Sequence, residues 1–123
     1  MIDAGSLTTT TALITGATGF IGTHLANHLV ARGATVVAVV RPTTDLERIP
    51  NGVRPALHDG SAAGLADLVE RASPDVAFHL AARFVAQHTA EDVAPLVLDN
   101  VLFSTQLFDA LARSGCRRLV NVG

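Results

Sequence analysis

The chain has 123 residues, 49% hydrophobic and 16% charged, with nine basic and eleven acidic side chains for a formal net charge of −2. That length and composition set the expectation of one domain with a substantial buried core and exclude a disordered chain. The charge balance offers no basic surface to nucleic acid or to an anionic membrane, and no apolar run approaches the roughly 20 residues of a membrane span.

Cys116 is the one cysteine and has no internal disulfide partner, which fits a reducing compartment. Met1 to Ser6 lack the positive and apolar regions of a signal peptide, so a cytoplasmic location is expected. The sequence contains no tyrosine, and all nine basic residues are arginine. Chemistry that needs a phenol or an amine is therefore closed to these residues.

A polar, flexible lead over residues 1–9 is expected to precede the domain of residues 10–123. Thr10 to Thr15 reads as a first strand, with Ala12, Leu13 and Ile14 as its buried run. Phe20 to Arg32 has helical spacing, with Ile21, Leu25 and Leu29 on one face and Gly33 placed as a C-terminal cap. Thr35 to Val40 is a continuous β-branched run, as in a parallel strand covered on both faces. Pro42 and Pro50 bracket a loop in which Asp45 to Ile49 is a possible short helix. Val53 to His58 is a weaker strand, because Pro55 lacks a ladder donor and suits an edge. Ser61 is placed to cap a helix running to about Ala72, with Leu65, Leu68 and Val69 inward.

Val76 to Leu80 is a fourth short strand. A long helix from about Glu91 to Ser114 follows, with Glu91, Asp92 and Pro95 suited to its first turn and Gly115 to its end. Leu119 to Val122 begins a last strand. This alternation predicts an α/β fold, a doubly wound parallel sheet of about five strands with right-handed crossovers.

The chemistry concentrates at Gly16-Ala17-Thr18-Gly19-Phe20-Ile21-Gly22. The segment follows an apolar strand and opens a helix, the setting in which a glycine-rich turn cradles a pyrophosphate. Gly16 permits the tight turn, Gly19 lets backbone approach the phosphates, and Gly22 lets the helix sit close to the sheet. A P-loop is excluded, since no Gly-Lys-Ser/Thr follows. The spacing is G-x-x-G-x-x-G, not the G-x-G-x-x-G of many dehydrogenases. A Rossmann-type site for a nicotinamide dinucleotide is expected, with a plain strand-to-helix turn, which rarely needs three glycines, as the alternative.

With these residues the chain resembles the extended short-chain dehydrogenase/reductases, also called NAD-dependent epimerase/dehydratases. The glycine motif matches in full. Asp59 after the third strand, His79 to Ala82 after the fourth, Asn100 and Val101 in the long helix, and Leu119 to Gly123 follow in the same order. The resemblance implies cofactor contacts at Gly16, Thr18, Gly19, Phe20, Ile21, Gly22 and Asp59. Leu80, Ala81 and Ala82, at the carboxyl end of the fourth strand beside the switch point, are expected to let backbone pass close to the cofactor, with ordinary packing the alternative. The resemblance places Asp59 against the adenine amino group and Asn100 as a support tying the helix to the sheet. Read from residue chemistry alone, Asp59 serves equally as a turn former or helix cap.

The second strand bears on the choice of dinucleotide. An acid about 20 residues beyond the first glycine binds the ribose 2′-hydroxyl of NAD. Val39, Val40 and Arg41 stand there instead. Arg41, helped by Thr43 and Thr44, suits a 2′-phosphate, so NADP is expected, with NAD the alternative and a solvated loop arginine the plainer reading.

His24 and His28 have a metal-compatible spacing without a third ligand, and no metal site is expected. His58, His79 and His88 read as structural rather than catalytic, and Cys116 as non-catalytic, although Arg117 and Arg118 beside it suit a lowered thiol pKa. The resemblance further implies a catalytic Ser and a Tyr-x-x-x-Lys motif after the fifth strand, which this sequence does not contain. The expectation is a cofactor-binding N-terminal part, truncated after the fifth strand, inactive alone and self-associating. The complete enzyme is expected to act on a nucleotide sugar, as an NADP-dependent 4-ketoreductase or an NAD-dependent epimerase or dehydratase. A non-catalytic dinucleotide-binding module is the remaining possibility.

Overall fold

In the computed structural model, residues 5–83 and 85–122 are described. The first four residues of the N-terminal lead, and Gly123 of the last strand motif, lie outside them. Leu7 is anchored: its N–H donates to the Arg32 carbonyl at 2.8 Å, and its side chain packs on the core.

The apolar run Ala12-Leu13-Ile14 forms β1 (Thr11–Thr15), at the centre of a sheet with the order β3-β2-β1-β4-β5. β2 (Thr35–Val40) pairs with it in parallel on one side, Leu13 opposite Val37, and β4 (Val76–His79) on the other, Thr15 opposite His79. β3 (Val53–Leu57) flanks β2 as an edge strand, where the missing N–H of Pro55 is tolerated. β5 (Arg118–Asn121) pairs in parallel with β4. The doubly wound parallel sheet is thus observed.

Alternation of side chains along each strand divides the core into two layers. Ala12, Ile14, Val36 and Ala38 pack under α1 (Phe20–Ala31), with its Ala26 and Leu29. Leu13, Val37 and Ala77 pack under α2 (Ala62–Ala72), with its Leu65 and Val69, and under α4 (Phe103–Ser114), with its Phe103, Leu107 and Leu111. Helices cover both faces, which explains why β2 is apolar from Val36 to Val40.

Three local features depart from the expectations. The inward stripe of α1 is Gly22, Ala26 and Leu29, whereas Ile21 is exposed. Gly22 must lie against the Gly16 carbonyl, and that contact sets the rotation of the helix. Asp45 to Ile49 holds only a short 3₁₀ turn, Leu46–Arg48, capped by Asp45. The long helix is not uniform: a 3₁₀ turn at Ala90–Asp92 leads into α3 (Val93–Val97), then one wide π turn at Leu98–Leu102, then α4.

Asp92 Oδ2 accepts the Thr89 N–H at 2.9 Å where the helix begins, and Gly115, at φ +78°, ends it. Ser61 Oγ accepts the Gly64 N–H at 2.9 Å and caps α2. Among the described residues no helix is long and apolar enough to cross a membrane.

Candidate functional site

The chain runs outward from β1 through β2 to β3, then crosses back to β4 on the other side of β1. The carboxyl ends of β1 and β4 therefore flank the switch point, where sheets of this kind leave a crevice. A cleft of about 440 Å³ lies there, lined by Thr15 to Gly19, the end of β2 with Arg41, Leu80 to Arg83, and Asp99 and Phe103.

The glycine turn divides its duties. Gly16 has φ +78°, and a Cβ there would stand 2.8 Å from the Ala81 nitrogen, so β1 and β4 close on each other at this point. A Cβ on Gly22 would collide with the Gly16 carbonyl oxygen. Gly19 is different: its nearest atom would be the Gly16 oxygen at 3.4 Å, an ordinary contact, and it lies on the cleft wall. Gly19 is also the N-cap of α1, with no capping side chain and no acid in the first turn. The partial positive charge of that helix end is therefore not offset by a capping side chain or by an acid in the first turn.

Phe20 and Ile21 have exposed side chains, 81% and 58%, and neither residue lines the cleft. Thr18 lines the cleft, and its carbonyl accepts a bond from Arg48 Nη2 at 3.3 Å.

Opposite the turn, a buried relay fixes the end of β4. Thr15 Oγ1 accepts the N–H groups of Leu80 and Ala81, each at 3.1 Å, which leaves its one proton for His79 Nδ1 at 2.6 Å. His79 therefore carries its proton on Nε2 and donates it to Ser104 Oγ at 2.7 Å. Burial holds its pKa below the ordinary histidine value. The relay ties β1, β4 and α4 together beneath Leu80 and Ala81.

Asn100 clamps the next stretch. Its Oδ1 accepts the Arg83 N–H and its Nδ2 donates to the Arg83 carbonyl, both at 2.8 Å. The helix is thereby tied to the loop beyond β4, although Asn100 itself does not line the cleft.

Asp59 lies on a neighbouring hollow of about 350 Å³ that shares Arg41, Asp99 and Phe103 with the main cleft. Its Oδ1 accepts the Ser61 N–H at 2.8 Å and the Ser61 hydroxyl at 2.7 Å, and these bonds lower its pKa. Gly64 packs beside it, and a Cβ there would push the carboxylate aside. The turn-forming role of Asp59 is thus visible. His58, buried in the wall of the same hollow, has a pKa lowered first by burial, with Arg41 lowering and Asp59 raising it.

Residue-level reading of the sequence missed a charge cluster. Arg41 Nη1 lies 3.0 Å from Asp99 Oδ1, and Arg83 Nη1 lies 3.3 Å from Asp99 Oδ2. The Arg41 guanidinium also sits 5.6 Å from the centre of the Phe103 ring. Arg41 is thus neither free in the loop nor unpaired. The Arg41 backbone N–H donates to Thr44 Oγ1 at 2.9 Å, which fixes the turn that presents it. The legible signal was an acid inside the apolar run Val93 to Phe103.

Among the described residues no group of three or more His, Cys, Asp or Glu is placed to hold a metal. His24 makes an edge contact with Phe20, ring centres 4.7 Å apart.

Sheet order, glycine turn and switch-point cleft together define a Rossmann-type dinucleotide-binding domain. Residues 12–123 match the model of the NAD dependent epimerase/dehydratase family, and the chain belongs to that family. It is 30% identical over 122 residues to UDP-glucose 4-epimerase of Mycolicibacterium smegmatis, covering 89% of this chain and 37% of that protein. The crystal structure of Thermus thermophilus UDP-glucose 4-epimerase complexed with NAD is 28% identical at a TM-score of 0.77, covering 89% of this chain and 36% of that one. The Thermotoga maritima UDP-glucose 4-epimerase, solved with UDP-glucose, shares the fold at a TM-score of 0.81 and 21% identity, covering 90% of this chain and 37% of that one. The chain thus spans little more than a third of the length of these relatives.

Proposed function

We propose that this chain binds a nicotinamide dinucleotide in the switch-point cleft and forms the cofactor-binding part of an enzyme acting on nucleotide sugars. The observation that carries this reading is Gly19 on the cleft wall, open to a ligand, while Gly16 and Gly22 are closed against the protein's own backbone. A pyrophosphate beside Gly19 meets the N-terminal end of α1. Leu80, Ala81 and Ala82 present backbone and small side chains along the other wall, and Asp59 faces the hollow into which an adenine extends. The nicotinamide, when bound, supplies hydride exchange; the residues of this chain bind and orient it. With no tyrosine or lysine in the sequence, proton transfer by a phenol or an amine is not among their tasks.

Arg41 at the end of β2 supports NADP over NAD and, with it, 4-ketoreduction in the complete enzyme. The second reading, an NAD-dependent epimerase or dehydratase, is favoured by the relatives whose structures hold NAD. Fluorescence titration of the purified chain with NADPH and NADH separates the two. NADPH is expected to bind below about 1 mM and more tightly than NADH. Failure of both to bind in that range overturns the cofactor reading.

We also propose that the chain self-associates. Val93, Val97, Leu98, Val101 and Leu102 expose an apolar stripe on α3 and the π turn, and Leu119 and Val120 are exposed on β5. Sedimentation at about 100 μM is expected to show concentration-dependent association, and a monodisperse monomer refutes it.

A further inference from the structure

Two guanidinium groups and one carboxylate meet where the main cleft joins the hollow beside Asp59. Asp99 reaches this point from the π turn, which also carries Asn100, while Arg41 comes from the end of β2 and Arg83 from the loop after β4. Three elements remote in sequence thus place their charges at one spot on the wall of the candidate cofactor site.

The end of β2 offers Arg41 where an acid would accept a ribose hydroxyl, and that arginine is already engaged by Asp99 at 3.0 Å. A phosphate on the ribose 2′-oxygen would bring nearly two negative charges toward the same guanidinium. It would compete with the Asp99 carboxylate for Arg41 and Arg83 and would be repelled by that carboxylate. The two arginines and Asp99 sum to a charge of +1; with the carboxylate neutralised, the same groups present +2. An unphosphorylated ribose meets no such competition, because its hydroxyls can donate to a carboxylate as readily as they accept from an arginine.

We propose that Asp99 is a specificity-determining residue for the dinucleotide: by holding Arg41 and Arg83, it restrains binding of a 2′-phosphate and narrows the preference for NADP over NAD. The inference rests on the cofactor reading above. It also accounts for an arginine at the end of β2 in a chain whose relatives hold NAD.

The test compares NADPH and NADH binding to the chain and to the Asp99→Asn, Arg41→Gln and Asp99→Asn/Arg41→Gln variants. D99N keeps the shape of the side chain and removes its charge. It is expected to raise the NADPH-to-NADH affinity ratio about tenfold, since two ion pairs and one repulsion are altered together. The double variant is expected to lose most of that gain, because Arg41 delivers it. A purely structural role for Asp99 would change both affinities alike. An unchanged ratio in D99N, or a gain that survives loss of Arg41, overturns the proposal and leaves the cofactor reading intact. Failure of the unaltered chain to bind either dinucleotide overturns both. Asp99→Ser, expected to act in the same direction, keeps the comparison available if the amide does not pack.

Discussion

Gly22→Ala is expected to destabilise the fold by about 3 kcal/mol, lowering the melting temperature by roughly 10 °C. The added methyl would meet the Gly16 carbonyl oxygen and approach the Gly16 carbonyl carbon and Ala17 Cα within 2.8 and 2.9 Å. All three are backbone atoms, so no rotamer change relieves the clash, and α1 must lift away from the turn. Gly19→Ala should behave in the opposite way. At φ −78° and ψ 174° its backbone suits alanine, and its nearest neighbour stands at 3.4 Å. Its stability cost should stay within about 1 kcal/mol, the price of a poorer N-cap. Its NADPH affinity should nevertheless fall at least about tenfold, because the methyl occupies the approach of the pyrophosphate. Thermal melts and fluorescence titration of the two variants check this. Unimpaired NADPH binding by G19A contradicts the assignment of the cleft, and a G22A protein as stable as the parent contradicts the seating of α1.

The contrast between these glycines shows what sequence can and cannot carry. Three glycines after an apolar strand announce the turn, because few other backbones need them there. Which glycine faces ligand and which faces protein depends on the rotation of α1, and the apolar letters mislead: Ile21 is exposed although the spacing puts it with Leu25 and Leu29. The edge position of β3 was legible from Pro55, and the start of α2 from Ser61, since both act through their own backbone neighbourhood. The Arg41–Asp99 pair was not, because 58 residues separate its members and a π turn carries the acid. Periodicity assumes 3.6 residues per turn and is blind to such a widening. Asp59 stands between these cases: its turn chemistry was readable and is observed, whereas its second role depends on a ligand.

The relay beneath the cleft makes stability sensitive to pH in a direction that can be worked out. His79 and His58 both have pKa values lowered by burial, so above about pH 6.5 each is neutral whether the chain is folded or not. As pH falls through 6.5, the unfolded chain takes up protons that the folded chain refuses, and stability declines until the folded-state values are reached. Each group contributes a slope of at most about 1.4 kcal/mol per pH unit in that window. Asp59, whose depressed pKa acts only below about pH 4, does not enter it. Urea unfolding between pH 7.5 and 5.5 should therefore show a steady loss of stability with acidification. For His79 the cause is also visible in the bonds: protonating Nδ1 would set a second donor against the Thr15 hydroxyl, which already serves Leu80, Ala81 and the ring. His79→Phe removes the titrating group but leaves the Thr15 and Ser104 hydroxyls without their ring partner. A loss of about 2–4 kcal/mol at pH 7.5 is expected, with a shallower pH slope than the parent. Because Leu80 and Ala81 form the wall against which Gly16 closes, NADPH affinity should weaken in the same variant. An H79F protein with the parental slope would show that His79 is not the group that titrates.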